Sequence, residues 1–244
     1  MKVFFKLLLM TVVMTACSSG ERHGDIPEEY GDIAGTVHLY DDLTHSVEAG
    51  GMKVTVEGTS PEISTQTELS GRFRLTHVPP GTYCLRFEKS GYGTFIKESV
   101  EHVRGELLTF VSGLPSLGAK STTGITKLSS IAEVDQVKIL TETDPEAYGS
   151  NRRYLRFFYS TNKDVSHQNY RAYSETQTAQ INPFEWTVKA SDLYAMGFKK
   201  GETVFARAYG DSFFSNKYHD VKGDKMIFPN LNAQTVEAVS FIVP

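Results

Sequence analysis

The sequence is poor in cysteine, and that shortage is informative. Cys17 and Cys84 are the only two in 244 residues. Two cysteines allow at most one internal disulfide, so ordinary burial must hold the fold. Basic charge is not in excess either. Lys and Arg number 25 against 29 Asp and Glu, so there is no basic stripe to grip nucleic acid. Beyond residue 16, no apolar run approaches the roughly 20 residues of a spanning helix. Sustained helical periodicity is missing too. None of the seven histidines (His23, His38, His45, His77, His102, His167, His219) stands four residues from another, and there is no cysteine pair, so zinc-ligand spacing is lacking. No serine sits in a nucleophile elbow. No two carboxylates show opposed environments. Catalytic residues, metal and cofactor are therefore all expected to be none, and the chain reads as a non-enzyme. Asp41-Asp42, with Glu48 nearby, reads as a solvated turn before it reads as a calcium site.

What is present begins at the N-terminus. Lys2 and Lys6 form a positive start, Leu7 to Ala16 a run of about ten mostly apolar residues, and Thr15-Ala16-Cys17 a small-residue junction. This resembles a bacterial lipobox. The resemblance implies cleavage after Ala16, lipidation of Cys17 and anchoring to a membrane. The remaining 228 residues would carry 23 basic against 29 acidic groups, a formal charge of −6. Residues 17–30 read as a tether, with Ser18, Ser19, Gly20, Gly24 and Pro27 disfavouring regular structure and Glu21, Asp25, Glu28 and Glu29 making it acidic. Its acidity is similar to the surface-export signals of Bacteroidetes lipoproteins. That similarity implies an outer-membrane protein exposed at the cell surface.

From Gly31 the text is strands and turns. Met52, Val54 and Val56 alternate with Lys53, Thr55 and Glu57; Phe73 and Leu75 alternate with Arg72 and Arg74; Tyr83, Leu85 and Phe87 alternate with Cys84, Arg86 and Glu88. This is the period-2 pattern of half-buried strands. Gly71 falls where a hairpin needs a positive φ, and Pro80-Gly81 predicts a tight turn with the glycine left-handed. Tyr83 is placed to pack and hydrogen-bond at that corner. The ordered motifs Gly35-Thr36-Val37, Gly51 to Gly58, Ser70 to Leu75, Val78 to Tyr83 and Ser90-Gly91-Tyr92 resemble the carboxypeptidase regulatory-like domain. The resemblance implies a transthyretin-like sandwich over residues 31–112, used as a spacer and without catalysis.

Gly113, Pro115, Gly118 and Gly124 mark residues 113–125 as a linker. Strand signals then resume at Val134, Val137, Ile139 and Leu140. In Arg153 to Ser160, Leu155, Phe157 and Tyr159 face one way and Tyr154, Arg156 and Phe158 the other. Trp186 and Val188 belong to another strand, and Ser191 is expected to cap a helical turn ending at Met196. Phe157 to Asn162 and Gly201 to Tyr209 resemble the middle and penultimate strands of fibronectin type III-like domains. The resemblance implies a second sandwich over residues 126–244, with an insert around 210–230. The expected fold class is all-β, with two tandem immunoglobulin-like or transthyretin-like sandwiches.

Aromatic residues supply the binding potential. Tyr170, Tyr173, Phe184, Trp186, Tyr209, Phe213, Phe214 and Tyr218 gather in the second half. The candidate ligand-binding residues are Tyr209, Phe213, Phe214, Tyr218 and Trp186, because exposed rings stack on sugars or seat a protein partner. The expected role is a lipid-anchored envelope accessory that binds a glycan or a protein partner. The alternative is a structural component of an envelope complex, and a hydrolase or metal enzyme is a remote third.

Overall fold

The structure, a computed structural model, describes residues 30–244. The expected signal, Cys17 and the tether up to residue 29 lie outside the described residues. No helix among the described residues is long and apolar enough to cross a membrane.

The first half contains β1 (Gly31–Thr36), β2 (His38–Tyr40), β3 (Ser46–Val47), β4 (Lys53–Val56), β5 (Ile63–Gln66), β6 (Arg72–Val78), β7 (Gly81–Lys89), β8 (Gly93–His102), β9 (Leu108–Phe110) and β10 (Ser116–Gly118). They form sheets of order β5-β4-β7-β8, β6-β1-β9 and β10-β2-β3. The alternation read from the sequence decides which side chains turn inward. Val54, Val56, Phe73, Leu75, Leu85 and Phe87 all join one core with Ile33, Leu39 and Leu117. Each such buried side chain contributes roughly 1.5–3 kcal/mol.

Two turns explain their glycines differently. Gly71 has φ 84°, and a Cβ there would lie 2.0 Å from the Val37 carbonyl oxygen, so the hairpin requires glycine on both counts. Gly81 is not left-handed, contrary to expectation. Its constraint is the Tyr83 ring, whose Oη would stand 3.0 Å from an added Cβ. Tyr83 folds back over the turn and donates its hydroxyl to the Pro79 carbonyl at 2.9 Å, the corner role anticipated for it.

The second half contains β11 (Gly124–Ala132), β12 (Gln136–Asp144), β13 (Arg153–Ser160), β14 (Ala172–Tyr173), β15 (Gln177–Ala179), β16 (Phe184–Lys189), helix α1 (Ala190–Ala195), β17 (Thr203–Asp211), β18 (Tyr218–Asp220), β19 (Lys225–Ile227) and β20 (Val239–Ile242). One sheet runs β11-β12-β16; the other runs β14-β13-β17-β20, with β15 also paired to β13. Between them lies a second core that includes Val137, Ile139, Leu155, Phe157, Tyr159 and Val204.

Four expectations need correction. Residues 113–125 are not a plain linker: Ser116–Gly118 pairs in parallel with β2, and Gly124 already begins β11. Leu117 is apolar enough to complete the first core, which draws the segment into the sheet. Val134 does not open a strand but sits 94% exposed between β11 and β12. Ser191 does not cap α1. Lys189 holds that position without a side-chain bond, and Ser191 instead lies 3.4 Å from Asp192 Oδ1. The run Ile33 to Tyr40, rich in β-formers and so expected to be a strand, is two strands broken at Val37, whose N–H bonds to the Gly71 carbonyl across the hairpin.

Candidate functional site

β13 is buried along its whole length, on both faces. The face bearing Leu155, Phe157 and Tyr159 meets the second core. The other bears Arg156 and Phe158, and a third cluster covers it: Phe158, Val165, Tyr209 and Phe228, with Tyr170, Tyr173 and Met226 packed against them. Phe228 and Met226 come from the insert, which folds back over the sheet. Below the rings Arg156 donates to Asp211 at 2.8 Å, to the Ser174 carbonyl at 2.6 Å and to Thr176 at 2.6 Å. Burial pushes the Asp211 carboxyl up, while Arg156 and the Ser212 N–H oppose that rise. The guanidinium lies 4.7 Å from the Phe228 ring centroid, a cation–π contact.

A groove of about 440 Å³ opens above this base, lined by Tyr170, Arg171, Tyr173, His219, Gly223, Asp224, Lys225 and Met226. One wall is the loop after β13 together with β14; the other is the β18–β19 hairpin. The two tyrosine rings are half-buried, with centroids 5.7 Å apart and planes at 89°. Tyr170 donates to the Met226 carbonyl at 2.9 Å, which ties the walls together. Burial, before the neighbouring Tyr173, raises its phenol pKa. The Lys225 ammonium stands 4.8 Å from the Tyr170 ring centroid and donates to the Gln168 carbonyl. Lys217 lies 5.9 Å from the Tyr173 centroid and pairs with Glu175 at 2.5 Å. His219 and Asp224 meet at 3.1 Å on the rim. Aromatic faces beside a few polar groups can seat a sugar, whose C–H face stacks on the ring while its hydroxyls meet the rim.

The five candidate residues do not share one surface. Trp186 stacks on Phe157 at 6.2 Å and donates to the Tyr159 hydroxyl at 2.8 Å, so it serves the second core. Tyr209 is buried in the third cluster, edge-on to Phe158 at 5.6 Å. Phe213 is 48% exposed and lies 5.3 Å from Tyr154. Phe214 packs on Tyr40 at 4.2 Å, a residue of the first half. Tyr218 meets Phe95 at 6.3 Å and lines a separate cavity of about 430 Å³ with Tyr83, Cys84, Glu98 and Lys222. Only Phe213 and Phe214 touch each other, at 4.8 Å. Tyr170 and Tyr173 were in the aromatic roster of the sequence, but their pairing depends on the insert and carried no local signal.

The acidic turn after β2 is used internally. Asp41 accepts from the Leu43 and His45 N–H groups and from the His45 ring, and Asp42 accepts from the Thr122 N–H and hydroxyl. Among the described residues no group of three His, Cys, Asp or Glu side chains could hold a metal ion.

Residues 33–111 match the model of the carboxypeptidase regulatory-like domain. Three solved structures show a distant likeness. A Bacteroides uniformis protein, provisionally described as carbohydrate binding, is 13% identical; the alignment covers 87% of this chain and 98% of that one, with TM-score 0.32. A DUF3823 family protein from Parabacteroides merdae is 11% identical over 86% of this chain and 98% of that one, with TM-score 0.31. A type II cohesin–X-dockerin complex from Acetivibrio cellulolyticus is 21% identical over 33% of this chain and 51% of that chain, with TM-score 0.28. At these scores the likeness assigns no function. No curated protein matches the chain.

Proposed function

We propose that this is a non-catalytic accessory protein of the outer membrane, anchored through a lipidated Cys17, that binds a glycan in the Tyr170–Tyr173 groove. The observation that carries the reading is the groove itself: two half-buried tyrosine rings, held by the insert and rimmed by charged and polar groups. The anchor is supported by the Lys2, Lys6 and Thr15-Ala16-Cys17 pattern. The partition of the second half into a three-stranded sheet and a sheet built around β14-β13-β17-β20 supports a fibronectin type III-like domain. Under this reading the first sandwich is the platform and the second the ligand-bearing end.

Affinity electrophoresis of the full chain through gels containing plant, host and bacterial polysaccharides tests the binding. At least one polysaccharide should retard the protein, and Tyr173→Ala should abolish that retardation while leaving far-UV circular dichroism unchanged. Because Tyr173 also packs 4.9 Å from Phe228, Tyr173→Phe serves as the folded control. Absence of retardation on every polymer would end the glycan reading. Labelled-palmitate incorporation with Cys17→Ala tests the anchor, and unchanged labelling would refute it.

A second reading, docking to another envelope protein, rests on a different observation. Leu107 is 82% and Phe110 73% exposed, at and beside β9, which is an outer strand of its sheet. Cross-linking in cells that recovers only the monomer would remove it.

A further inference from the structure

The groove carries a charge bias that a neutral sugar would not use. Around it, Arg171 and Lys225 are cationic, Asp224 is anionic, and His219 adds a positive charge when protonated. Lys217 stands over Tyr173 but is matched by Glu175. Asp224 is 95% exposed at its side chain and is already engaged by His219. Arg171 leans out of the groove, over the Phe198 ring at 4.9 Å and toward Glu202 at 3.9 Å. Among the described residues Lys225 has no acidic partner: its ammonium stands over the Tyr170 ring and donates one proton to the Gln168 carbonyl, which leaves two of its three donors for a ligand. Its charge is felt inside the wall, where it helps burial keep the neighbouring His167 imidazole neutral.

We propose that the groove selects sugars bearing a carboxylate, with Lys225 as the residue that reads the acid. This rests on the glycan reading of the same groove. A pyranose lying against Tyr173 has its substituents within one sugar residue's reach of Lys225, because the two tyrosine rings are only 5.7 Å apart. An ammonium meeting a carboxylate makes a charge-assisted hydrogen bond, about twice as strong as a neutral one.

Polygalacturonate, alginate and hyaluronate, each compared with its carboxyl-reduced neutral form, provide the test by affinity electrophoresis and calorimetry on the full chain. At least one carboxylated polymer should bind about tenfold or more tightly than its reduced form. Lys225→Met, which keeps the aliphatic stem, should erase that preference, while Lys225→Arg retains it and Phe213→Ala changes nothing. Raising salt should weaken the acidic polymer and not the neutral one. Equal binding of acidic and reduced forms would overturn this inference and leave the glycan reading standing. Binding to neutral polysaccharides alone would do the same. No binding to any polymer would overturn both.

Discussion

Asn216 pairs with Gly118 much as a neighbouring strand would. Its side-chain oxygen accepts from the Gly118 N–H at 2.8 Å, and its amide donates to the Gly118 carbonyl at 2.9 Å and to the Tyr92 carbonyl at 3.0 Å. Asn216 belongs to the insert of the second half; Gly118 and Tyr92 belong to the first. Its φ of 50° is one that asparagine tolerates better than most residues. Asn216→Ala removes all three bonds: Gly118 keeps the Phe214 carbonyl and the Asn230 amide as partners, whereas the Tyr92 carbonyl gives up the Asn216 amide. Urea denaturation should show a loss of about 2–3 kcal/mol. A change below half a kilocalorie would show that the clasp is incidental.

Arg156 and Asp211 form an ion pair with both side chains wholly buried. Breaking one side leaves a charge without its partner, so Arg156→Met or Asp211→Asn should each cost about 3–5 kcal/mol. Arg156→Met combined with Asp211→Leu should recover much of that loss, because no buried charge then remains. Additive losses in the double variant would contradict the pairing argument.

Tyr83 closes its corner with one hydrogen bond and one ring. Tyr83→Phe keeps the ring and gives up the bond to Pro79, for an expected loss of about 1 kcal/mol. Gly81→Ala should cost more than Tyr83→Phe, since it pushes the ring off the turn. Thermal midpoints measured side by side decide the order.

His167 packs edge-on to Tyr209 at 5.3 Å. Burial first, and Lys225 second, hold its pKa below the ordinary 6.5. The unfolded chain therefore takes up a proton that the native protein refuses. Its contribution to stability is complete above pH 6.5 and declines as pH falls toward the lower native value. Denaturation midpoints between about pH 7 and pH 5 should fall, and His167→Gln should flatten the decline. An unchanged slope in the variant would assign the effect elsewhere.

Cys84 should be a sluggish thiol. Burial, then the carboxylates of Glu57 and Glu98, raise its pKa above 9.0. In a Cys17→Ser background, Ellman's reagent at pH 8 should modify it about tenfold more slowly than free cysteine. Glu98→Gln should quicken it; reaction at the rate of free cysteine would contradict the placement.

Much of the first sandwich was legible because its strands are half-buried. Arg72 and Arg74 face out while Phe73 and Leu75 face in, and a period of two records that directly. The second half was legible only in outline. Alternation separates Leu155, Phe157 and Tyr159 from Tyr154, Arg156 and Phe158, but both faces are buried. What covers the second face is the insert, and nothing local to β13 announces it. Arg156 finds its partner 55 positions away, and Tyr170 bonds to Met226 across 56. Such meetings are properties of the folded chain. Composition shows the aromatic residues but not their grouping: Tyr218 and Phe214 pack toward the first half, Tyr209 and Trp186 into packed interiors.

The insert has a consequence for how the chain can be divided. Tyr218, at the start of the hairpin, rests on Phe95 of the first core, and Phe228, just past its end, rests on Phe158 in the third cluster. The wall that carries Lys225 is therefore moored at both ends to different sandwiches. A fragment ending near residue 123 would lose the cover over Tyr92 and Gly118, and one beginning there would turn Asn216 and Tyr218 toward water. The two sandwiches are thus not interchangeable modules: any transplant of the second onto another platform must bring with it the surface that platform presents.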